Sequence, residues 1–291
     1  MRFPNRLICA AMLIVAASMV HAEESGEEKY ALHKLLDTQV SVQERQAIFD
    51  HVKEQAAAGK TGAQYVVGSL YRIGKKLDAN VVDSDMDAAK KYLSTAAAHG
   101  RLLAMAKMAE IELATNRPME AMIWTQLYGH YKDELEPGEK GKPITGYFAD
   151  LLHRAQSAFD QKQSPQMQQY LGGFIAQHDA DIRAGYADAQ ALDSDGSKME
   201  NRVHNLHYES NVAKLRNVHV DEIAEYVVAF DAHGVPQQVW LLDAVPYVLL
   251  GKELRAVATH MRVNETTGSE LRYAVVPIDY SFGSFAIRRV N

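Results

Sequence analysis

The sequence predicts an α+β protein in which an N-terminal α-helical repeat solenoid precedes a small β-β-α-β two-layer domain. Up to about residue 185, the apolar residues have the spacing of amphipathic helices, and part of this region repeats. The last quarter, from Asp221 to Phe282, instead alternates apolar with other residues in three short segments. Helices followed by a few strands are typical of the α+β class.

The first 22 residues have the pattern of a signal peptide. Arg2 and Arg6 precede an uncharged apolar run of 14 residues, and small residues end the segment at Ala22. A helix that spans a membrane needs about 20 apolar residues. We therefore expect cleavage near Ala22 and a periplasmic location.

Composition narrows the possible partners. The only cysteine, Cys9, lies within 1–22, so the exported chain would have no disulfide and no cysteine nucleophile. Removing Arg2 and Arg6 leaves 29 basic against 37 acidic residues, a net charge of −8. This balance argues against nucleic acid and against direct binding to anionic lipid. Membrane association is therefore expected only through a partner.

Two helical pairs repeat within the predicted solenoid, which spans 23–185. Gly59 corresponds to Gly100 and Ala63 to Ala104, a shift of 41 residues. The second helix of each pair matches at a shift of 33, so the first pair has the longer internal loop. Small residues at these places let antiparallel helices approach closely, and such pairs stack into solenoids.

The first pair resembles the Sel-like repeat, a relative of the tetratricopeptide repeat. Its signature stands here as Ala56-Ala-Ala-Gly59, followed by Ala63-Gln-Tyr-Val-Val-Gly-Ser-Leu-Tyr71. The resemblance covers about Gln55 to Tyr131, with one clear repeat and a degraded second one. An ordinary Ala-rich helical bundle is the alternative.

Further helices are predicted on both sides of the repeats. Ser41 is a candidate N-cap for a helix that starts at Val42. A second helix is expected over 145–161, and a third starts at Ser164 and ends near Gly185. The polar residues 186–218 have little periodicity, and we interpret them as a linker.

The last quarter divides into four elements. Strands are predicted over Ala224–Phe230 and Val235–Leu242, separated by a turn that ends at Gly234. A helix follows over Leu249–Met261, and a third strand over Arg272–Phe282. We expect the helix to cover one apolar face of a three-stranded antiparallel sheet.

Residues 219–291 resemble the C-terminal domain of TonB-type energy transducers. The resemblance is carried by Glu225-Tyr-Val-Val-Ala-Phe-Asp-Ala-His-Gly-Val235, by Leu254–Ala258 and by Val276-Pro277-Ile278. It implies a domain that binds an extended peptide by strand addition. The chain lacks the family's long Pro-rich segment and the membrane helix that couples to a motor, so energy transduction is not implied. Any small β-β-α-β domain is the alternative.

The third strand is the predicted binding edge. Pro277 supports an edge position, because proline cannot donate to a ladder and is tolerated mainly on edge strands or at bulges. Arg272 is expected to be free to meet an acidic residue of the peptide. The predicted peptide-binding segment comprises Arg272, Tyr273, Ala274, Val275 and Val276.

No pattern predicts catalysis, a metal or a cofactor. The chain has neither a serine nucleophile elbow nor a phosphate-binding glycine loop. Several side chains are interpreted as surface, linker or solvated helix positions rather than ligands: His204, His207, His219, His233, Asp193, Asp195, Asp87, Glu110, Glu112 and Glu120.

Three functions remain open from the sequence. The first is an exported module for protein–protein interaction, which is not an enzyme and binds an envelope partner. The second is a structural envelope protein whose C-terminal domain closes a homodimer. The third is a hydrolase that acts on cell-wall material.

Overall fold

The computed structural model describes residues 32–136, 145–193, 221–263 and 271–281. These residues form nine α-helices and a three-stranded antiparallel sheet, the predicted α+β layout. The proposed signal peptide, residues 194–218 of the predicted linker, and Phe282 lie outside the described residues.

Eight helices precede the strands, and the ninth lies between the second and third strands. The helices are α1 (residues 32–36), α2 (Val42–Ala57), α3 (Thr61–Ile73), α4 (Met86–Ala98), α5 (Leu102–Ala114), α6 (Pro118–Leu135), α7 (Tyr147–Ala158), α8 (Ser164–Asp193) and α9 (Gly251–Ala258). The strands are β1 (Glu222–Phe230), β2 (Pro236–Val245) and β3 (Arg272–Tyr280).

The helical pairs follow the repeat seen in the sequence. Helices α3 and α5 have 13 residues each and start 41 residues apart. Ala63 and Ala104 occupy equivalent buried positions on them. Gly59 and Gly100, with φ of +90° and +85°, turn the chain out of the preceding helix, a backbone conformation that favours glycine.

Two helices start where the capping residues predicted, but α8 ends later than predicted. The Ser41 hydroxyl accepts a hydrogen bond from the Glu44 N–H at 3.2 Å, and α8 starts at Ser164 as predicted. Helix α8 continues past Gly185 to Asp193, so the first eight residues of the predicted linker are helical. No helix of the described ranges, including the 30-residue α8, is long and apolar enough to cross a membrane.

The sheet has the order β2-β1-β3. Both neighbours pair antiparallel with β1, and β2 carries extra residues opposite it at two register shifts. Strand β2 runs to Val245, three residues beyond the predicted end, and α9 is shorter than predicted. At the turn, the Asp231 carboxylate accepts hydrogen bonds from the N–H groups of His233 and Val235, both at 2.9 Å.

As expected, α9 covers one face of the three-stranded sheet, and the structure adds that the helical repeats cover the opposite face. Every residue of β1 is buried, because the sheet is covered on both faces. On one face the Tyr226 hydroxyl donates to the Gly251 carbonyl of α9. On the other face the helical repeats contact β1 and β2, so one apolar core includes residues of α2, α3 and all three strands. The sheet therefore lies between the repeats and α9.

Ala104 gives a test of the helix packing. It is fully buried, so Ala104→Leu should overpack the helical layer and lower the free energy of unfolding by about 1–3 kcal/mol. Ala57→Leu, on the exposed side of α2, is the matched control and should have little effect. Denaturant unfolding measures both, and equal stability of the two variants would contradict this packing.

Candidate functional site

Strand β3 carries the predicted peptide-binding segment and forms one edge of the sheet. It pairs with β1 from Arg272, opposite Phe230, to Tyr280, opposite Glu222. Among the described residues no second strand pairs with it. Arg272 to Val275 are half-buried, whereas Val276 is buried. Strand β3 is therefore backed by β1, and its first four residues remain partly accessible.

The position of Pro277 gives the direction of the neighbouring N–H groups. Pro277 is exposed and lies opposite Glu225 of β1. A proline fits an edge strand when its nitrogen faces away from the neighbouring strand. Because backbone groups alternate in direction along an antiparallel strand, Val275 then also directs its N–H away from β1.

The side chain of Tyr273 takes part in an aromatic cluster. Its ring stacks on His33 of α1, with the ring centroids 4.3 Å apart, and Trp240 of β2 lies 5.3 Å from the same histidine. Helix α1 thus contacts side chains of both outer strands. Tyr273 helps to hold the sheet against the helices, so its ring is not a free specificity element.

The expectation that Arg272 is free to meet a peptide was wrong. Its guanidinium donates a hydrogen bond to the Asp231 carbonyl at 3.2 Å. This contact ties the start of β3 to the turn between β1 and β2. Ala274 and Val275 of the predicted segment are half-buried, and their side chains pack against the apolar core.

Four charged side chains fix the sheet on the helical repeats, and we call them the ion cluster: Arg72, Lys107, Glu225 and Asp243. The Lys107 ammonium lies 2.6 Å from a Glu225 oxygen and 2.9 Å from an Asp243 oxygen. Arg72 forms a salt bridge with Asp243 and donates to the Ala244 carbonyl at 2.6 Å. Two cations from α3 and α5 therefore meet two carboxylates from β1 and β2.

Hydroxyl groups complete the hydrogen bonding of the ion cluster. The Tyr65 hydroxyl donates to Glu225 at 2.5 Å, and Lys107 donates to the Ser69 hydroxyl at 2.7 Å. Burial raises the pKa of Tyr65, and the Glu225 charge raises it further. Burial acts to raise the pKa of Asp243 as well, but Arg72 and Lys107 hold that pKa below its ordinary value. Asp243 is therefore ionised at neutral pH.

A second buried network joins α5 to α7. Glu110 accepts two hydrogen bonds from Arg154, at 2.6 and 2.9 Å, and one from the Tyr147 hydroxyl at 2.7 Å. Glu112 is buried too and lies 2.8 Å from Lys90. Interpreting Glu110 and Glu112 as solvated helix faces was therefore wrong. Both carboxylates hold helices together, and their pairing with cations gives them a structural role.

Sequence patterns did not identify the ion cluster, although one signal was present. Lys107 and Asp243 each stand alone among apolar neighbours, Lys107 within Leu102–Met108 and Asp243 within Val239–Val245. A charge in such a run is rarely buried unless it is paired. The partner could not be inferred, because Lys107 and Glu225 are 118 residues apart.

The described residues contain no group of three or more His, Cys, Asp or Glu side chains placed to hold a metal ion. His233 is exposed in the turn after β1, and the three other histidines of the sequence prediction lie outside the described ranges. Comparison with known proteins finds no significant match to a family model, to a curated protein or to a solved structure.

Glu222 has a buried carboxyl group that forms no salt bridge with any of the described residues. It lies at the start of β1, only 1% exposed, and its Oε1 atom accepts no hydrogen bond from the described part of the chain. Burial raises its pKa from 4.5 to about 8. Glu222 is therefore mostly protonated at neutral pH in the folded protein, unlike Asp243 of the ion cluster.

Removing Lys107 should destabilise the whole fold. Lys107→Met leaves two buried carboxylates with one cation, and breaking a buried ion pair in this way costs about 3–5 kcal/mol. The exposed Lys76→Met is the control and should cost little. Denaturant unfolding followed by circular dichroism measures the difference. A loss for Lys107→Met as small as for the control would show that the ion cluster does not hold the sheet.

Glu222→Gln should stabilise the protein in a pH-dependent way. Below about pH 4.5 the Glu222 carboxyl group is protonated in both the folded and the unfolded chain, so its ionisation does not change the free energy of unfolding. Between pH 4.5 and 8 the unfolded chain releases the proton and the folded protein keeps it, so wild-type stability falls as pH rises. The gain of the Gln variant should therefore grow from pH 5 to pH 8, reaching about 4 kcal/mol, because each pKa unit corresponds to about 1.36 kcal/mol. The exposed Glu54→Gln is the control, and a gain independent of pH would contradict the raised pKa.

Proposed function

We propose that this protein is an exported interaction module, not an enzyme, that binds an extended peptide of a cell-envelope partner beside β3. The signal-like segment at residues 1–22 and the resemblance of residues 219–291 to TonB-type C-terminal domains support this proposal. The Sel-like motifs suggest that the helical region is a scaffold of the same kind. The single observation that carries the proposal is the edge position of β3.

Of the two outer strands, β3 suits an added strand better. Residues 241–245 of β2 are all buried, and β2 contacts α3, α5 and α9. In β3, by contrast, Ala274 and Val275 are half-buried and Pro277 and Asp279 are exposed. An added peptide would gain affinity from main-chain hydrogen bonds and selectivity from alternate side chains.

The sheet also provides a rigid template for the peptide. β1 is buried on both faces, and the ion cluster fixes it to the repeats. A template that is already ordered loses little conformational entropy when a peptide pairs with it. Pro277 has no N–H group to donate at its position of the edge. This limits an added ladder to the residues before it and protects the free protein from pairing with a second copy of itself.

Proline at position 275 tests the proposed edge. With the N–H of Val275 directed away from β1, Val275→Pro removes one donor to the peptide and leaves the β1 ladder intact. We expect peptide binding to weaken at least about tenfold, the equivalent of one lost hydrogen bond with its desolvation. The measurement is a titration with an extended peptide from a partner captured out of periplasmic extract.

The control separates backbone from side-chain effects. Val275→Ala trims the side chain but keeps the N–H, so it should bind nearly as well as wild type. Circular dichroism checks that both variants are folded. A folded Val275→Pro variant with unchanged affinity would exclude this edge as the binding site.

A further inference from the structure

The N-terminal half of α8 is a surface without charge. From Ser164 to Gln177 none of the 14 residues is Asp, Glu, Lys or Arg, although such residues make up 23% of the chain. In this half of the helix only Met167 is buried. Exposed helix faces normally carry charged or polar residues, and here the polar ones are neutral amides. A second molecule with the chain's own net charge of −6 would meet no acidic side chain of this helix segment.

A groove lies between this half of α8 and the neighbouring α6. The two helices meet through the rings of Trp124 and Phe174, whose centroids are 5.4 Å apart. The groove has a volume of about 560 Å³, and its polar lining consists of three glutamines and one acidic residue, Glu120, which is paired with Arg117. Its apolar wall and floor are formed by Ile123, Trp124, Leu127, Tyr170, Gly173 and Phe174.

Tyr170 and Gly173 make this surface complementary to itself. The Tyr170 side chain is 55% exposed, which is unusual for a large aromatic residue. Gly172 and Gly173 follow two and three residues after Tyr170. Both lie away from the ends of α8, and a glycine in the interior of a helix costs about 1 kcal/mol of helix stability relative to alanine. A Cβ atom at either glycine would meet no atom within 4 Å, so the protein's own packing does not require them. The helix thus presents a projecting ring beside an open site.

We propose that two copies of this chain associate through α8, crossing antiparallel about a two-fold axis near Gly172. Residues three apart share a helix face, so this axis places Tyr170 of each copy over Gly173 of the other. The glycines let the two backbones approach closely, and each tyrosine ring enters the groove of the other copy. This interface is distinct from β3 and from a dimer closed by the C-terminal domain.

Self-complementarity selects a second copy over an unrelated partner. A foreign helix would have to supply its own projecting ring, whereas this chain carries both the ring and the open site on one face. Aromatic side chains that fill a pocket at the centre of an interface dominate its affinity. Both contacts of the symmetric pair depend on Tyr170, so its loss removes two such anchors at once.

The mass of the full chain in solution tests the association. Sedimentation between about 1 and 100 µM, the range that reveals micromolar affinity, should show a concentration-dependent dimer. Tyr170→Ala should weaken dimerisation at least about tenfold, and Gly173→Leu should do the same by filling the open site. Leucine also raises helix propensity, so a melting temperature at or above wild type would show that the Leu variant is folded. Tyr247→Ala is the matched control, because Tyr247 is 59% exposed elsewhere on the surface.

Engineered cysteines test the geometry. In a full chain with Cys9→Ser, oxidation of a mixture of the Tyr170→Cys and Gly173→Cys variants should give disulfide-linked heterodimers in excess of either homodimer. A wild-type chain that stays monomeric throughout the concentration range would overturn the proposal. So would a dimer that Tyr170→Ala leaves intact, or cross-linking in which each variant pairs mainly with itself.

Discussion

The fold depends on the neutral pairing of two cations from the helical repeats with two carboxylates from the sheet. An unpaired charge in the protein interior costs several kcal/mol. Arg72 and Lys107 could not be covered by an apolar sheet, and Glu225 and Asp243 could not be covered by apolar helices. The cations of the helical region therefore need the carboxylates of the sheet, and the reverse is also true. Tyr65 adds a hydrogen bond to Glu225, and Ser69 accepts one from Lys107. Through these contacts the helical region and the sheet share one buried interface.

The ion cluster also fixes the register of the sheet. Glu225 pairs with Asp243 across β1 and β2, next to the shift after which Tyr226 lies opposite Leu241. A slip of one residue would turn these carboxylates toward α9 and leave the cations of the repeats unpaired. At the other end of β1, the stacked rings of His33 and Tyr273 set the position of β3. The edge strand β3 is thus held by its pairing with β1 and by this stacking on α1.

Local patterns predicted the elements but not the third layer. The shift of 41 residues located α3 and α5, and Gly234, with its positive φ, located the turn after β1. The polar contacts between the sheet and the repeats join residues 118 to 172 positions apart, and no sequence periodicity predicts such pairings. The end of α8 was missed for another reason: residues 186–193 are rich in alanine and polar side chains, so they favour a helix without showing an apolar stripe.

The two proposed surfaces lie on different elements, and this separation would strengthen the binding of a partner with two suitable segments. Helix α8 packs chiefly against α4 and α6, whereas β3 pairs with β1 on the sheet. A dimer joined through α8 would therefore present two β3 edges at a fixed separation. A partner with two suitable segments would bind the second edge as an intramolecular event, so weak strand addition at each edge could sum to stable binding. The blunted, short edge of β3 then fits its role, because each edge need supply only part of the affinity and stays protected when no partner is bound.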